Sequence, residues 1–242
     1  MSDFSNRSPI YVVNQKKSVK AIFKSVKHDR RQGRPFVTIS REPGAYGMTV
    51  AEALAAYLQD KERREGSPWT VFDKDIVKKV MSDHHLPEEF AAYFSECAVS
   101  EIEDILEELF SSHPSQWSLV HKMNDTILRL AQLGYVILVG RGANIITRRL
   151  PRGFHVRLIG SFEKRVEHMQ EYLKMNEKKT RACLVKEQKD RRSYVRKYFS
   201  KDINDPSLYD LVINTDTVPV ENAVRLIGDE VLRGCGGAPA EA

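Results

Sequence analysis

Residues 37–58, VTISREPGAYGMTVAEALAAYL, join a strand-like run to an apolar helical pattern through two glycines. Gly44 and Gly47 let the backbone turn tightly, so successive N–H groups can point at one anion while the helix starting near Met48 adds its positive end. A complete phosphate-binding loop reads GxxxxGK[ST]. Here Gly47 stands where the lysine would be, and Thr49 is available near a magnesium ion. The segment predicts a phosphate-binding loop without its lysine; on the pattern alone, a glycine turn without a ligand fits equally well.

Two arginines follow strand-like runs, where ligands bind in open α/β sheets. Arg41 is our candidate for the missing cation, because a guanidinium can grip phosphate with two hydrogen bonds. Its alternative role is a surface ion pair with Glu42. Arg141 lies in VGRGAN, and a Gly-Arg-Gly sequence after a buried strand suits a phosphate clamp. A solvated loop arginine is the alternative.

A carboxylate ends the next strand-like run, WTVFD at 69–73. Asp73 can bind sugar hydroxyls or order an arginine of a closing segment, and Lys74 beside it is a further phosphate-contact candidate. Asp73 serves equally well as the N-cap of the helix KDIVKKVM. Asn214 and Thr215 follow the last strand, where they either face the same cleft or only close the turn into the next helix.

The stretch KEQKDRRSYVRKYF at 186–199 is strongly basic. Helical spacing places Lys189, Arg192 and Arg196 on one face, with Arg191 flanking them. Such a helix either brings guanidinium groups onto a transferring phosphoryl group or is only a solvated basic face.

The remaining candidate ligands form no metal-site pattern. His84 and His85 diverge by ~100° on a helix and are expected to be exposed, whereas His155, within a strand, is expected to be a core histidine. The cysteines are too far apart in sequence to indicate a disulfide framework or a zinc site; they are Cys97, Cys183 and Cys235.

These residues need a scaffold in which strands alternate with helices. Five strand-like runs occur along the chain: FVTIS, WTVFD, YVILVGRG, FHVRLIG and YDLVINT. Several are apolar on both faces, which predicts an α/β fold with a parallel sheet of about five strands covered by helices on both faces. Helices are expected at about 143–150, 162–173, 177–199 and 219–233, with Gly134 capping an earlier one.

Composition narrows the function classes. The chain has 242 residues, 41% of them hydrophobic and 29% charged, which is typical of a globular protein. No apolar run is long enough to span a bilayer and no signal peptide pattern is present, so we expect a cytoplasmic protein without a membrane partner. The formal charge of +5 suits an anionic ligand. Nucleic acid is not favoured as that ligand, because no stacking-aromatic motif accompanies the charge.

Five segments together resemble a known family: VTISREPGAYGMTVAEALA, FDKDIV, VILVGRGANIITRRLP, HVRLIGSFEKRV and DPSLYDLVINTDTVPVENAV. They look like the cytidylate kinase-like proteins, relatives of bacterial cytidylate kinase within the nucleoside monophosphate kinase fold. The likeness is spread over about residues 35–233 in the expected order. Members commonly carry an arginine-glutamate pair before the glycine loop and a glycine at the lysine position, as this chain does.

The resemblance implies transfer of the γ-phosphoryl group of ATP to a nucleoside monophosphate, CMP or dCMP, with Mg²⁺ as cofactor. It places the donor's phosphates over the loop, with Thr49 or water near the metal. The loop residues are Gly44, Ala45, Tyr46, Gly47, Met48 and Thr49.

For the acceptor side, the resemblance implies that Arg141 holds the acceptor's phosphate and that Asp73 and Lys74 lie in its binding segment. A basic lid would close over the reacting groups. The arginines that would act during transfer are Arg41, Arg191, Arg192 and Arg196.

The expected organisation has three parts. A basic N-terminal extension covers residues 1–34, the kinase-like domain covers 35–233, and a disordered tail covers 234–242. The domain contains a helical acceptor-side insert at about 76–133 and the lid at about 177–205. Two alternatives stay open: a kinase of the same fold for another small acceptor, and a catalytically silent nucleotide-binding regulatory module.

Overall fold

The computed structural model describes residues 33–62, 68–73 and 116–234 of the chain. This part contains one sheet of five parallel strands in the order β2-β3-β1-β4-β5. The predicted fold class is therefore confirmed. The strands are β1 (Phe36–Arg41), β2 (Thr70–Phe72), β3 (Val136–Val139), β4 (Gly153–Ile159) and β5 (Leu211–Asn214).

Helices connect and cover the strands. In the described ranges they are α1 (Gly47–Glu62), α2 (Gln116–Leu133), α3 (Ala143–Ile146), α4 (Phe162–Leu173), α5 (Glu177–Phe199) and α6 (Val220–Leu232), with a 3₁₀ turn at Pro206–Leu208. The predicted bounds of α4 and α5 are confirmed. Helix α3 is shorter than the predicted 143–150 stretch, because Thr147 leaves the helical conformation (φ −97°, ψ 4°). Gly134 follows α2 with φ 73°, as a C-terminal capping glycine does.

Two apolar clusters lie on opposite faces of the sheet. On one face, α1 and α6 pack over side chains of β1 and β4, including Val37, Ile39 and Val156. On the other face, α2 packs over β3, where Ile127 contributes to the same cluster as Leu138. Because strands alternate the direction of their side chains, β1 sends Val37 and Ile39 to the first face and its intervening residues to the second.

The second face carries two polar pairs between β1 and β4. The register places Thr38 beside His155 and Ser40 beside Arg157. Thr38 Oγ1 lies 2.9 Å from His155 Nδ1, and Arg157 Nη1 donates to Ser40 Oγ over 2.8 Å. His155 is 3% exposed, so the predicted core histidine is confirmed. These polar pairs lead along the sheet to its carboxyl edge.

Several sequence predictions fall outside the described residues. They are the N-terminal extension, the tail, most of the helical insert, Lys74, the pair His84 and His85, and Cys97 and Cys235. Those predictions are neither confirmed nor contradicted. Among the helices in the described ranges, none combines the length and apolar character that crossing a bilayer requires.

The buried histidine predicts a pH dependence of stability. Burial lowers the pKa of His155 to about 4, whereas an unfolded chain keeps a histidine pKa near ~6.5. Between these values the unfolded state binds more protons, so the free energy of unfolding should fall as the pH is lowered from about 6.5 to 4. Substituting His155→Gln should flatten this dependence in urea denaturation measured at several pH values.

The wild type, measured under the same conditions, gives the reference slope. If His155→Gln kept the wild-type slope between about pH 5 and 6.5, His155 would not be held neutral in the folded protein.

Candidate functional site

The loop between β1 and α1 is a tight turn at the carboxyl edge of the sheet. Gly44 and Tyr46 have positive φ angles of 83° and 55°, and the Ala45 amide donates to the Glu42 carbonyl oxygen over 3.1 Å. Helix α1 starts directly after it at Gly47. The first N–H groups of a helix have no intrahelical acceptors. The turn therefore presents amides in the arrangement that favours an anion.

The side chain of Arg41 passes over Gly47. A Cβ atom at position 47 would lie 2.7 Å from Cγ of Arg41 and 3.2 Å from its Cδ, which is too close for any side chain there. The Nη2 atom of Arg41 lies 3.5 Å from Oδ1 of Asp73, and the Arg41 side chain is 13% exposed. The Arg41 side chain thus occupies the space that the first carbon of a side chain at position 47 would need.

The loop is fastened to α4 by a buried arginine that sequence analysis missed. Arg165 is 4% exposed and donates through Nε to the Gly160 carbonyl oxygen and through Nη1 to that of Pro43, each over 3.0 Å. Its Nη2 donates to Gln188 Oε1 over 3.2 Å. The Glu42 carboxylate lies 3.5 Å from Arg165 Nε, so Glu42 pairs with the arginine that holds the loop. Arg41 pairs with Asp73 instead.

His168, one turn beyond Arg165 on α4, holds the same loop. Its Nδ1 lies 2.8 Å from the Gly44 carbonyl oxygen, and its ring stacks on Tyr46 with centroids 3.8 Å apart. Gly44 also packs closely here, since a Cβ atom would lie 2.8 Å from the Arg165 carbonyl oxygen. The spacing of three residues between Arg165 and His168 was visible in the sequence, but not which face of α4 would meet the loop.

The Gly-Arg-Gly turn after β3 also has an unusual backbone. Gly140, Arg141 and Gly142 have consecutive positive φ angles of 82°, 59° and 68°. A Cβ atom at Gly142 would lie 2.5 Å from the ring of Phe199. The absence of a side chain at Gly142 therefore leaves room for the last residue of α5. Arg141 is 8% exposed, so the alternative of a solvated loop arginine is wrong. A non-glycine residue in the left-handed region is uncommon. Arg141 adopts this conformation, and its charged side chain is buried.

Helix α5 contacts the end of β1, directly before the glycine loop, through Arg191. Arg191 donates through Nη1 to the Arg41 carbonyl oxygen over 3.1 Å and through Nη2 to Glu187 Oε2 over 3.0 Å. Arg192 and Arg196 are exposed. Of the predicted lid arginines, Arg191 therefore contacts the loop, while the basic face that helical spacing predicted points towards solvent.

These elements enclose a cleft at the carboxyl edge of the sheet. The cleft measures about 370 Å³ together with the solvent at its open mouth, and among the described residues its lining includes three arginines and no carboxylate. Its walls come from the ends of β1 and β3, from α5 and from the segment before β5. The lining residues are Ser40, Arg41, Gly140, Arg141, Gly142, Asn144, Ile145, Arg191, Tyr194, Val195, Ile203 and Tyr209.

Arg157 lies behind the wall of this cleft and was not among the predicted site residues. It is 4% exposed, and its guanidinium lies 5.8 Å from the centre of the Tyr209 ring. Burial lowers the pKa of the Arg157 guanidinium from its ordinary value. In the sequence, Arg157 was noticeable only as an arginine inside the apolar run FHVRLI. That pattern alone does not show which residues its side chain contacts.

The turn after β5 fits the simpler of its two predicted roles. The Asn214 side chain accepts from the Asp216 amide over 3.0 Å, and the Thr215 amide donates to the Ile159 carbonyl oxygen over 2.8 Å. The Asp216 carboxylate accepts from the Ser161 amide, which lowers the pKa of that carboxyl group. These contacts close the turn and join it to the start of α4.

No protein cage for a metal is present in the described ranges. Residues 33–62, 68–73 and 116–234 contain no group of three histidine, cysteine, aspartate or glutamate side chains placed to hold an ion. Thr49, the predicted magnesium neighbour, is exposed in the first turn of α1. Thr49 could supply one oxygen ligand to a Mg²⁺ ion, which usually takes few ligands from a protein and keeps several waters.

Comparison with known proteins assigns the family. The model of the cytidylate kinase-like family matches residues 36–217. An uncharacterized protein from Eubacterium ventriosum has a similar fold, with a TM-score of 0.60, 19% identity, and coverage of 82% of this chain and 98% of that one. A shikimate kinase from Bacteroides thetaiotaomicron aligns with a TM-score of 0.44 and 13% identity over 82% of this chain and 98% of that one. No curated protein gives a significant match.

The family match spans the loop after β1, the Gly-Arg-Gly turn, α4, α5 and β5. All the elements that enclose the cleft therefore lie inside the matched range. The chain belongs to the cytidylate kinase-like family, whose members are kinase-type nucleotide-binding proteins.

Proposed function

We propose that the protein transfers the γ-phosphoryl group of ATP to a nucleoside monophosphate, CMP or dCMP, giving ADP and the diphosphate. The observation that carries this proposal is the cleft beside the glycine loop, whose described lining residues include Arg41, Arg141 and Arg191 and no carboxylate. Such a cleft suits ligands with several phosphate charges. The family match supports a kinase, and the choice of acceptor follows from the resemblance to cytidylate kinases.

The donor's phosphates would lie over the loop from Gly44 to Thr49. The amides of this turn and the start of α1 would bind phosphate oxygens. Arg41 would supply the charge of the missing lysine, since its side chain already crosses Gly47. Asp73 holds that guanidinium at 3.5 Å, and an incoming phosphate would compete for it.

The acceptor's phosphate would lie against Arg141, whose burial leaves the cation within a low-dielectric wall where its field is strong. Asp73 ends β2 at the same edge of the sheet and is the candidate partner of the acceptor's sugar. Lys74, the other predicted acceptor contact, lies outside the described residues.

Transfer would need positioning and charge neutralisation more than a protein base. The bond between the γ-phosphorus and the β,γ-bridging oxygen breaks as an oxygen of the acceptor's phosphate bonds to that phosphorus. The second pKa of a phosphate monoester is near ~6, so the acceptor is mostly a dianion at neutral pH and no proton has to be removed.

Arg41 and Arg191 would face the charge on the transferring group, and α5 would exclude water. Mg²⁺ would neutralise the donor's phosphates, with Thr49 beside it.

The reaction itself is the first test. With Mg²⁺, ATP and CMP or dCMP, the protein should form ADP and the pyrimidine diphosphate, detected by chromatography, and chelation of the metal should abolish product. The control omits the acceptor, because the proposal requires ADP formation to depend on it.

A panel of nucleoside monophosphates and other small hydroxylated or phosphorylated metabolites separates the alternatives. Turnover of a different acceptor would show a kinase with another substrate. ATP binding in calorimetry with no turnover of any acceptor would contradict the proposal and favour a regulatory module.

Arg141 tests the acceptor site. Substituting Arg141→Ala removes charge-assisted hydrogen bonds worth about 1.5–3 kcal/mol, so the KM for the monophosphate should rise roughly ten- to a hundred-fold with a smaller change in the KM for ATP. The control is Arg149→Ala, an exposed arginine a few residues away. Equal effects of both substitutions would place the acceptor elsewhere.

Gly47 and Arg41 form a double-mutant cycle for the donor site. Substituting Gly47→Ala inserts a Cβ atom against the Arg41 side chain, and overpacking of this kind costs about 1–3 kcal/mol. The KM for ATP should rise, and it should rise far less when Gly47→Ala is made in an Arg41→Ala background. Steady-state kinetics of the four proteins measure the coupling; an equal penalty in both backgrounds would show that Gly47 does not act through Arg41.

A further inference from the structure

Arg157 carries a buried charge that the proposed mechanism does not use. It stands beside Ser40 in the register of β4 and β1, and both side chains lie on the sheet face that leads to the cleft. Its Nη1 donates to the neutral hydroxyl of Ser40 over 2.8 Å, and its guanidinium faces the Tyr209 ring at 5.8 Å. Arginine is rarely so buried without an ionic partner.

No ion pair with a carboxylate balances Arg157 within the part of the chain that the structure describes. The carboxylate that attracts it most, Glu42, is held by the Gly160 amide at 3.1 Å and by Arg165 at 3.5 Å. Tyr209 also acts in its favour, whereas Arg41 and Arg192 are positive and oppose it. A buried and uncompensated cation is costly for the fold, so a negative charge nearby would be strongly favoured.

The side chains that Arg157 touches form the wall of the cleft. Ser40 and Tyr209 both line it, and their hydroxyl oxygens lie 3.4 Å apart. Tyr209 is fixed in turn, because its hydroxyl donates to the Ile203 carbonyl oxygen over 2.8 Å. An anion in the cleft would therefore be separated from the Arg157 guanidinium by one layer of hydroxyl groups, through which charge acts with little screening.

We propose that Arg157 is the built-in countercharge of a phosphate group bound in this cleft, a positioning residue that acts on the ligand through Ser40. The ligand class is a phosphate dianion, and its identity as the phosphate of a nucleoside monophosphate rests on the proposed function. The folded protein without ligand tolerates the uncompensated cation, and binding of the dianion relieves it. Arg157 thereby favours ligands with a phosphate over the same nucleoside without one.

A purely structural role makes the opposite prediction. If Arg157 only joined β4 to β1 through its bond to Ser40, removing it would destabilise the protein and leave anion affinity unchanged. If it is a countercharge, removing it should leave the ligand-free protein equally or more stable and weaken anion binding. Melting temperature and ligand affinity together therefore separate the two roles.

The test compares Arg157→Met, which keeps length without charge, with Arg157→Lys, which keeps the charge. The matched control is Arg149→Met, at an exposed arginine. Melting temperatures are measured on the full chain without ligand. Calorimetry then gives dissociation constants for inorganic phosphate, CMP and cytidine.

We expect Arg157→Met to melt at or above the wild-type temperature and to bind phosphate and CMP about ten-fold or more weakly. Cytidine affinity should not change, and Arg157→Lys should recover most of the phosphate and CMP affinity. The control should match the wild type in every measurement.

A lower melting temperature or failure of Arg157→Met to fold, or unchanged CMP and phosphate affinity in that variant, would overturn the inference. The proposed function fails separately. If the wild type bound inorganic phosphate but gained nothing from the nucleoside of CMP, and Arg157→Met lost that binding, Arg157 would keep its role for a different phosphorylated ligand.

Discussion

The packing of the Arg41 side chain across Gly47 is the constraint on which the rest of the site depends. A Cβ atom at position 47 would stand 2.7 Å from Arg41 Cγ, so the loop can hold either a side chain at 47 or this arginine in its present path. The lysine of a complete phosphate-binding loop extends from the helix start, whereas Arg41 comes from the end of β1. Arg41 therefore brings a positive charge to the loop from a different direction, and its planar group can bind two phosphate oxygens.

Moving the cation to β1 changes what must hold it in place. Asp73 at the end of β2 lies 3.5 Å from the Arg41 guanidinium, and α5 reaches the backbone of the same residue through Arg191. On the other side, Arg165 donates to the carbonyl oxygen of Pro43, in the loop after β1, and to that of Gly160, directly after β4. Guanidinium groups therefore hold the loop in place and also lie beside it. Their fixed fork of donors suits backbone carbonyl oxygens as well as phosphates.

Local patterns predicted the scaffold well and the contacts within the site only in part. Apolar runs and glycine positions identified all five strands and the bounds of α4 and α5, because strand and helix periodicity is a property of neighbouring residues. The missing lysine and the candidate Arg41 were also visible. The reason for Gly47 was not, since it depends on the path of a side chain from another element.

The arginines that the sequence left unassigned are those whose roles depend on tertiary contacts. Helical spacing singled out the face of Lys189, Arg192 and Arg196, yet Arg191 is the residue that meets the loop. Arg157 stood out as polar within an apolar strand, but only the pairing of β4 with β1 shows that it meets Ser40. Side-chain direction across paired strands is set by register, which a single sequence does not state.

A crystal structure with a non-hydrolysable ATP analogue, Mg²⁺ and CMP would show directly where the donor's phosphates bind. We expect phosphate oxygens on the amides between Gly44 and Thr49, with the Arg41 guanidinium turned from Asp73 onto a donor phosphate. A nucleotide bound elsewhere, with the loop unoccupied and Arg41 still paired with Asp73, would contradict it.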